Sequence, residues 1–137
     1  MQKIYYELLD KAVDMRRRAY AGYSEFMVGA ALLCTDGKIY TGCNIENASY
    51  SLTLCAERNA IFRAVCDEER NFEAIAVAGA LNDCDCTSEP CVPCGACLQV
   101  MSEFCSPDFK IILFNKGEPV EFTLSDFLPK TFSLYSR

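Results

Sequence analysis

Ten of the 137 residues are cysteine, and this count limits what the chain can fold into. Such a chain is either a small disulfide scaffold or a protein that keeps its thiols reduced and uses some of them as metal ligands. Glu7 and Asp10 interrupt the region where the apolar core of a secretory signal would lie. We therefore expect a cytoplasmic protein in which clustered cysteines bind a metal and the scattered ones are buried as small apolar side chains.

The sequence contains no histidine, and its charge balance is acidic. Serine or cysteine triads of the usual kind, histidine-ligated metals and histidine acid-base chemistry are therefore excluded. The 13 Lys and Arg against 19 Asp and Glu give a formal net charge of -6, which opposes binding to nucleic acids and to anionic membrane surfaces. No uncharged stretch is long enough to span a membrane. We expect neither a nucleic acid nor a membrane among its partners.

Helical and strand-like segments alternate along the chain. Apolar residues recur at helical spacing from residue 2 to about residue 20: Ile4, Leu8, Ala12, Met15 and Ala19. Asp36-Gly37 predicts the turn of a hairpin between strands over 27–34 and 38–45. Similar patterns predict helices over 55–66 and 95–104, strands over 72–79, 110–115 and 120–124, and a short last helix capped by Ser125.

This order of elements predicts an α/β fold. Strands that alternate with buried helices form a mixed sheet with helices on both faces. The first two strands of this sheet would be the antiparallel pair of the hairpin. A chain of 137 residues has the length of one domain. We therefore expect a single three-layer α/β/α domain over residues 1–137, built on a mixed five-stranded sheet.

Two short segments place thiols at the predicted starts of helices. They are Cys55-Ala56-Glu57 and Pro93-Cys94-Gly95-Ala96-Cys97. Unpaired backbone amides and the positive end of the helix dipole favour the thiolate, which is the form that binds metal. Three thiolates on one zinc ion would leave the fourth tetrahedral position for water, as in catalytic zinc sites. The Glu57 carboxylate would then lie beside that water.

The cysteine spacing also leaves alternatives open. Pro90-Cys91-Val92-Pro93-Cys94 repeats the pattern Pro-Cys-x-x-Cys, so the spacing alone does not decide which pair binds metal. Cys91, Cys94 and Cys97 match the first three ligands of a ferredoxin-type run, although Met101 stands where the fourth ligand would be. An iron-sulfur module or a non-catalytic structural zinc module is therefore an alternative to an enzyme.

The residues around these cysteines resemble the zinc-dependent cytidine deaminases, in particular their small homotetrameric type with three cysteine ligands. The matching segments are Gly42-Cys43-Asn44-Ile45-Glu46-Asn47-Ala48, Cys55-Ala56-Glu57-Arg58 and Pro93-Cys94-Gly95-Ala96-Cys97-Leu98-Gln99-Val100. The resemblance extends from Tyr23-Ser24-Glu25-Phe26 to Leu128-Pro129 and Phe132. Leu98 departs from the family pattern, because many relatives carry an arginine there.

The resemblance implies an enzyme that hydrolyses cytidine and deoxycytidine to uridine and deoxyuridine, with release of ammonia, as in pyrimidine salvage. Cys55, Cys94 and Cys97 would bind zinc, and Glu57 would carry protons between the activated water and the base. A related deaminase that acts on another nucleoside or on a nucleoside antibiotic is the nearest alternative.

The resemblance also implies roles for residues around the metal. Asn44 and Glu46 would bind the ribose hydroxyls, and Phe26 and Ala56 would contact the nucleoside. Phe132 would reach into the site of a neighbouring subunit, so that a homotetramer shares its active sites between subunits. Arg58, three residues after Cys55 on a helix, can reach back to the thiolates and offset the excess negative charge of three thiolates on one zinc ion.

Overall fold

The computed structural model describes residues 1–134, so the last three residues of the predicted domain lie outside the described part. The elements are α1 (Lys3–Met15), β1 (Phe26–Cys34), β2 (Ile39–Cys43), α2 (Ala56–Cys66), β3 (Phe72–Leu81), α3 (Gly95–Phe104), β4 (Lys110–Asn115), β5 (Glu118–Thr123) and α4 (Leu124–Phe127). Short 3-10 turns lie at Arg16–Arg18 and Tyr50–Leu52. Within residues 1–134, no helix combines the length and the apolar character that crossing a bilayer requires.

The five strands form one mixed sheet in the order β2-β1-β3-β4-β5. Strand β1 pairs antiparallel with β2 and with β3, β3 runs parallel to β4, and β5 returns antiparallel to β4. The hairpin between β1 and β2 turns at Asp36-Gly37, where Gly37 has a φ of 94° that residues with a side chain rarely adopt. The predicted hairpin and the predicted mixed five-stranded sheet are therefore confirmed.

Helices cover both faces of this sheet. Successive residues of a strand point to opposite faces, so Leu32 of β1 packs into one core and Leu33 into the other. The core beside Leu33 is closed by residues of α1: Tyr5, Leu8, Leu9 and Ala12. The core beside Leu32 is closed by residues of α2 and α3: Ala60, Ile61, Ala64, Leu98 and Met101. The predicted three-layer α/β/α architecture is confirmed.

Helix α1 ends at Met15, before the predicted end near residue 20. The Arg16 side chain turns toward the sheet, where its Nε donates to the carbonyl oxygen of Met27 at 3.0 Å and its Nη2 to those of Ala80 and Leu81 at 3.1 and 3.2 Å. These acceptors lie on β1 and β3, near one end of each strand. Arg16 therefore ties the end of α1 to the sheet, and a short 3-10 turn over Arg16–Arg18 follows in place of a further α-helical turn.

The last helix begins earlier than predicted. Thr123, not Ser125, is its N-cap residue, and the Asp126 carboxylate accepts a hydrogen bond from the Thr123 amide at 2.8 Å. An N-cap amide bonded by a carboxylate three residues later is a common way to start a helix. The prediction of Ser125 as the cap was wrong, because Ser125 lies inside α4.

Helix α2 lies directly against the backbone of β2. A Cβ atom added to Gly42 would be 2.5 Å from the carbonyl oxygen of Ala56 and 2.6 Å from the amide nitrogen of Ala60. Only a residue without a side chain permits this approach. The contact holds the first turn of α2 beside the segment that follows β2, which begins at Asn44.

Candidate active site

Three thiols from two helices lie close together. Cys55 is the N-cap residue of α2, Cys94 is the N-cap residue of α3, and Cys97 lies in the first turn of α3. The Sγ atoms of Cys55 and Cys94 are 3.8 Å apart, those of Cys94 and Cys97 are 3.5 Å apart, and all three lie within 4.8 Å of one another. Tetrahedral zinc with Zn–S bonds of about 2.3 Å needs sulfur atoms about 3.8 Å apart. The donor set therefore fits a zinc ion.

The group stops at three donors. Over residues 1–134, no further cysteine or carboxylate joins Cys55, Cys94 and Cys97 within the same distance. Cys91 lies outside the group, so the structure selects the pair Cys94 and Cys97 from the two patterns that the spacing allowed. The ferredoxin-type run is not assembled either, because it would require Cys91 at the same centre. Three donors leave one tetrahedral position for another ligand.

Glu57 lies beside the thiols without belonging to their group. It is the second residue of α2 and only 4% exposed. Together with Cys55 and Cys94 it lines a cavity of about 240 Å³. Burial raises the pKa of Glu57 to about 7, since water no longer stabilises the charged carboxylate. A carboxyl group in this setting can exchange protons with a bound molecule near neutral pH.

Hydrogen bonds stabilise the thiolate of Cys55. The Cys97 thiol gives the largest contribution, and the Nη2 atom of Arg58 lies 3.4 Å from the Cys55 Sγ. Together with the nearby Cys94 thiol they lower the pKa of Cys55 to about 5. The prediction that Arg58 reaches back to the thiols is confirmed as a contact.

The cavity collects most of the predicted site residues. They are Phe26, Asn44, Glu46, Cys55, Ala56, Glu57 and Cys94. Cys97 is fully buried, and Phe132 lies away from the cavity of its own chain. Phe132 is 69% exposed, and its carbonyl oxygen accepts a hydrogen bond from Gln99 Nε2 at 3.2 Å. Five further residues line the cavity: Ser24, Val28, Thr53, Cys91 and Val92.

Asn44 is held in place from both ends of its amide. Its Oδ1 accepts from the backbone amide of Val28 at 2.9 Å, and its Nδ2 donates to the carbonyl oxygen of Phe26 at 2.8 Å. An asparagine side chain has two donors and two acceptor positions. One donor and one acceptor position therefore remain for a ligand hydroxyl, in an orientation that β1 determines.

Glu46 is held by a loop that precedes β1. Its Oε1 accepts from the amides of Tyr23 and Ser24, both at 3.1 Å, and its Oε2 accepts from the Ser24 hydroxyl. These bonds, led by the Ser24 hydroxyl, hold the pKa of Glu46 below its usual range. Glu25, with a φ of 58°, turns the chain between Ser24 and Phe26. The predicted substrate-binding residues did not include Ser24, although it belongs to the Tyr23-Ser24-Glu25-Phe26 segment that the sequence singled out.

A small backbone bridge brings the two halves of the cavity together. The amide of Ile45 donates to the carbonyl of Leu54 at 3.0 Å, and the amide of Leu54 donates to the carbonyl of Ile45 at 3.0 Å. Ile45 lies between Asn44 and Glu46, and Leu54 directly precedes Cys55. The bridge thereby places Asn44 and Glu46 beside the start of α2.

Comparisons with known proteins agree with this geometry. Residues 2–113 match the family model for the cytidine and deoxycytidylate deaminase zinc-binding region. The chain is 48% identical to a cytidine deaminase of Sporosarcina psychrophila, over 93% of this chain and 90% of the relative. It is also 48% identical to a cytidine deaminase of Halalkalibacterium halodurans, over 92% of each chain.

A solved structure agrees as well. The crystal structure of a cytidine deaminase from Burkholderia pseudomallei superposes with a TM-score of 0.84 at 44% identity, covering 96% of this chain and 100% of that chain. Family model, relatives and fold point to the same group of proteins. The chain belongs to the zinc-binding cytidine deaminase family.

Proposed function

We propose that this chain hydrolyses cytidine and deoxycytidine to uridine and deoxyuridine with release of ammonia, as a step of pyrimidine salvage. One observation carries the proposal: a single cavity joins the buried Glu57 carboxylate, two thiols of the zinc-fitting group and the polar pair Asn44 and Glu46. Residues 1–137 would act as one catalytic domain, because both helix layers pack on the same sheet.

Cys55, Cys94 and Cys97 would hold the zinc ion, and Glu57 would move the protons. A zinc ion bound by three protein ligands supplies an activated water as the nucleophile at neutral pH. Glu57 would accept a proton from that water and deliver it to ring nitrogen 3 of the cytosine, while the oxygen of the water forms a bond to carbon 4. It then carries the second proton of the water to the amino group on carbon 4. The C–N bond breaks, ammonia leaves, and the oxygen of the water remains as the new carbonyl oxygen.

Residues on the other side of the cavity would position the nucleoside. Asn44 offers one remaining donor and one remaining acceptor, and Glu46 offers acceptor capacity, so the two can bind the ribose hydroxyls. Phe26 and Ala56 would contact the flat base and the sugar. Because hydrogen bonds keep Glu46 ionised, a phosphate on the sugar would be repelled. Free nucleosides would therefore be better substrates than nucleotides.

The assembly would be a homotetramer with shared sites. Several large apolar or aromatic side chains are exposed: Tyr20, Tyr50, Leu52 and Phe132. Side chains of this kind favour burial against another subunit. Phe132 would then reach the cavity of a neighbouring subunit. A cytoplasmic location fits the same chain, because all ten cysteines are free and a reducing compartment keeps thiols unpaired.

The test is the release of ammonia from cytidine by the wild-type protein and by Glu57→Gln. Glutamine keeps the size of the side chain but cannot carry the proton, so turnover falls by at least about 100-fold. Zinc measured by atomic absorption stays at the wild-type ratio, because Glu57 is not one of the ligands.

Glu7→Gln is the matched control, since Glu7 is exposed on α1. It makes the same chemical change far from the cavity and keeps wild-type turnover. Comparable turnover in wild type and Glu57→Gln would contradict the role of Glu57. A panel of cytidine, deoxycytidine, CMP and a cytosine-containing nucleoside antibiotic separates the proposed reaction from that of a related deaminase.

A further inference from the structure

One glycine of β3 lies directly behind the wall of the substrate cavity. Gly79 is buried and pairs with Val28 of β1. A Cβ atom added to Gly79 would lie 2.7 Å from the Sγ of Cys91, 3.0 Å from Cε1 of Phe26 and 3.0 Å from Cγ2 of Val28. All three of these residues also line the cavity. The side chains that form the wall of the cavity therefore fill the space that a side chain at position 79 would need.

The need for glycine at this position is not conformational. Among the described residues, the glycines with positive φ are Gly37 and Gly117, and Gly79 is not one of them. Its backbone is that of an ordinary strand residue paired with β1. What Gly79 supplies is the absence of a side chain.

The atoms around Gly79 differ in kind from those around the other closely packed glycines. A Cβ atom at Gly29 would meet the carbonyl oxygen of Ala12 at 1.9 Å, and one at Gly42 would meet that of Ala56 at 2.5 Å. Those neighbours are backbone atoms of helices, so a substitution there must displace a whole helix. Around Gly79 the three neighbours are all side-chain atoms. A methyl group at Gly79 can therefore be accommodated by side-chain movement while the fold persists.

We infer that Gly79 is a positioning residue of the substrate cavity: its missing side chain lets Cys91, Phe26 and Val28 sit back from the nucleoside. This inference rests on the proposed function of the cavity. A methyl group at position 79 pushes Cys91 first, because a separation of 2.7 Å from its Sγ is shorter than any ordinary van der Waals contact. The displaced wall narrows a cavity of only about 240 Å³.

The experiment is a steady-state comparison of wild type and Gly79→Ala with cytidine. One methylene in the wall of a pocket changes discrimination by about 10-fold or more, so we expect KM to rise by about 10-fold. The kcat stays within about twofold, because the lost room for the nucleoside removes binding that is shared by the ground state and the transition state. Calorimetry with uridine shows the same loss of affinity without any turnover, and thermal unfolding of Gly79→Ala stays close to that of wild type.

Rescue distinguishes a positioning role from a merely structural one. Gly79→Ala combined with Cys91→Ala removes the sulfur that the new methyl group would meet, so the double variant regains most of the affinity for cytidine and uridine. Gly79→Ala combined with Cys66→Ala removes an exposed thiol elsewhere and regains none of it. Gly22→Ala, where nothing lies within 4 Å of the added atom, keeps the wild-type KM.

The outcomes separate the inference from the function on which it rests. Wild-type protein without deaminase activity would contradict the proposed function. Active wild type with an unchanged KM in Gly79→Ala would overturn only the inference. Failure of Gly79→Ala to fold would also overturn it, since the methyl group would then act on the core, and so would a double variant as weak as the single one.

Discussion

The guanidinium of Arg58 reaches back along the first turn of α2 to the thiol of Cys55, and its Nε atom is buried without a hydrogen-bond partner in the described part of the chain. Three thiolates on one zinc ion leave an excess negative charge, and a partly buried cation beside them offsets it. Groups that support metal ligands in this way typically change metal affinity by about 10- to 100-fold.

We therefore expect Arg58→Ala to keep its fold and to bind zinc about 10- to 100-fold more weakly. Competition with a chromophoric chelator measures this affinity, and circular dichroism checks the fold. Arg58→Lys retains the positive charge but loses the planar guanidinium group, so its zinc affinity lies between those of the alanine variant and wild type. Wild-type zinc affinity and turnover in Arg58→Ala would refute the role.

Ser24→Ala tests how Glu46 is kept ionised. The Ser24 hydroxyl is the main cause of the low pKa of Glu46, so its removal raises that pKa. A carboxylate with a lowered pKa is charged at neutral pH and loses its charge as the pH falls. KM for cytidine therefore changes little at neutral pH, but its rise on the acid side begins at a higher pH in the variant. Kinetics over a range of about pH 4 to 8 measure the shift.

Ser106→Ala is the control for this shift. The Ser106 hydroxyl contacts Asp108, outside the residues that line the cavity, so the same chemical change leaves the pH dependence of KM as in wild type. Glu57 is the other carboxyl group in the cavity and is present in all three proteins. If KM for cytidine begins to rise at the same acidic pH in wild type and Ser24→Ala, the role of the Ser24 hydroxyl is ruled out.

Gly42→Ala is expected to destabilise the whole domain. The added methyl group would meet backbone atoms of Ala56 and Ala60, so α2 must move away from β2. Overpacking of this kind costs about 1 to 3 kcal/mol, and the free energy of unfolding in urea measures it. Gly22→Ala has open space around the added atom and unfolds like wild type. Equal urea midpoints of unfolding for Gly42→Ala and wild type would show that the close contact between α2 and β2 does not contribute to stability.

Removal of zinc is expected to lower the stability of the folded chain. A metal that binds only the folded state adds about 2.7 kcal/mol at a free concentration 100 times its Kd. Chelation lowers the melting temperature, and zinc added back restores it, whereas magnesium does not, since thiolates are poor ligands for hard cations.

Cysteine variants identify the thiols responsible for the zinc response. Cys94→Ser loses the response, and Cys66→Ser, with its exposed thiol at the end of α2, keeps it. A melting temperature that is insensitive to chelation in wild type would contradict the three-thiol site.

Mixing two impaired variants tests whether subunits share their active sites, as proposed. Glu57→Gln would lack the proposed proton carrier, and Phe132→Ala would lack the aromatic ring that we propose reaches a neighbouring subunit. When subunits of both kinds assemble at random in equal amounts, about one quarter of the sites combine an intact Glu57 with an intact Phe132. Turnover of the mixture then exceeds the sum of the separate variants. A strictly additive mixture would mean that each chain works alone.

Local patterns predicted most of the fold, and long-range contacts account for what they missed. The end of α1 depends on the carbonyl groups of Met27, Ala80 and Leu81 that accept from Arg16, and these lie 11, 64 and 65 residues further along the chain. The spacing of apolar residues along a helix contains no information about such a contact. The start of α4 at Thr123 in place of Ser125 depends on the hydrogen bond that the backbone amide of Thr123 donates to the Asp126 carboxylate. Thr123 and Ser125 both carry the hydroxyl that helix caps favour, so residue type alone does not choose between them.

In the candidate active site too, local patterns predicted most residues, and long-range contacts decide the rest. The spacing could not choose between Cys91 and Cys97 as the partner of Cys94, because both pairs follow the same pattern. In the folded chain Cys97 lies on the inner side of α3, and Cys91 lies against β3 at Gly79. Ser24 was not predicted as a partner of Glu46 because 22 positions separate them. A backbone pairing brings them together: the Glu46 amide donates to the Tyr20 carbonyl at 2.8 Å, and the Tyr20 amide donates to the Asn44 carbonyl at 2.9 Å.

The placement of two of the three sulfur atoms at helix starts also bears on the order of events in a growing chain. Cys55 opens α2, whereas Cys94 and Cys97 follow β3, the strand at the middle of the sheet. A nascent polypeptide that ends before residue 94 carries one member of the trio and cannot complete the centre. A complete zinc centre therefore requires that the ribosome has already synthesised the whole of β3.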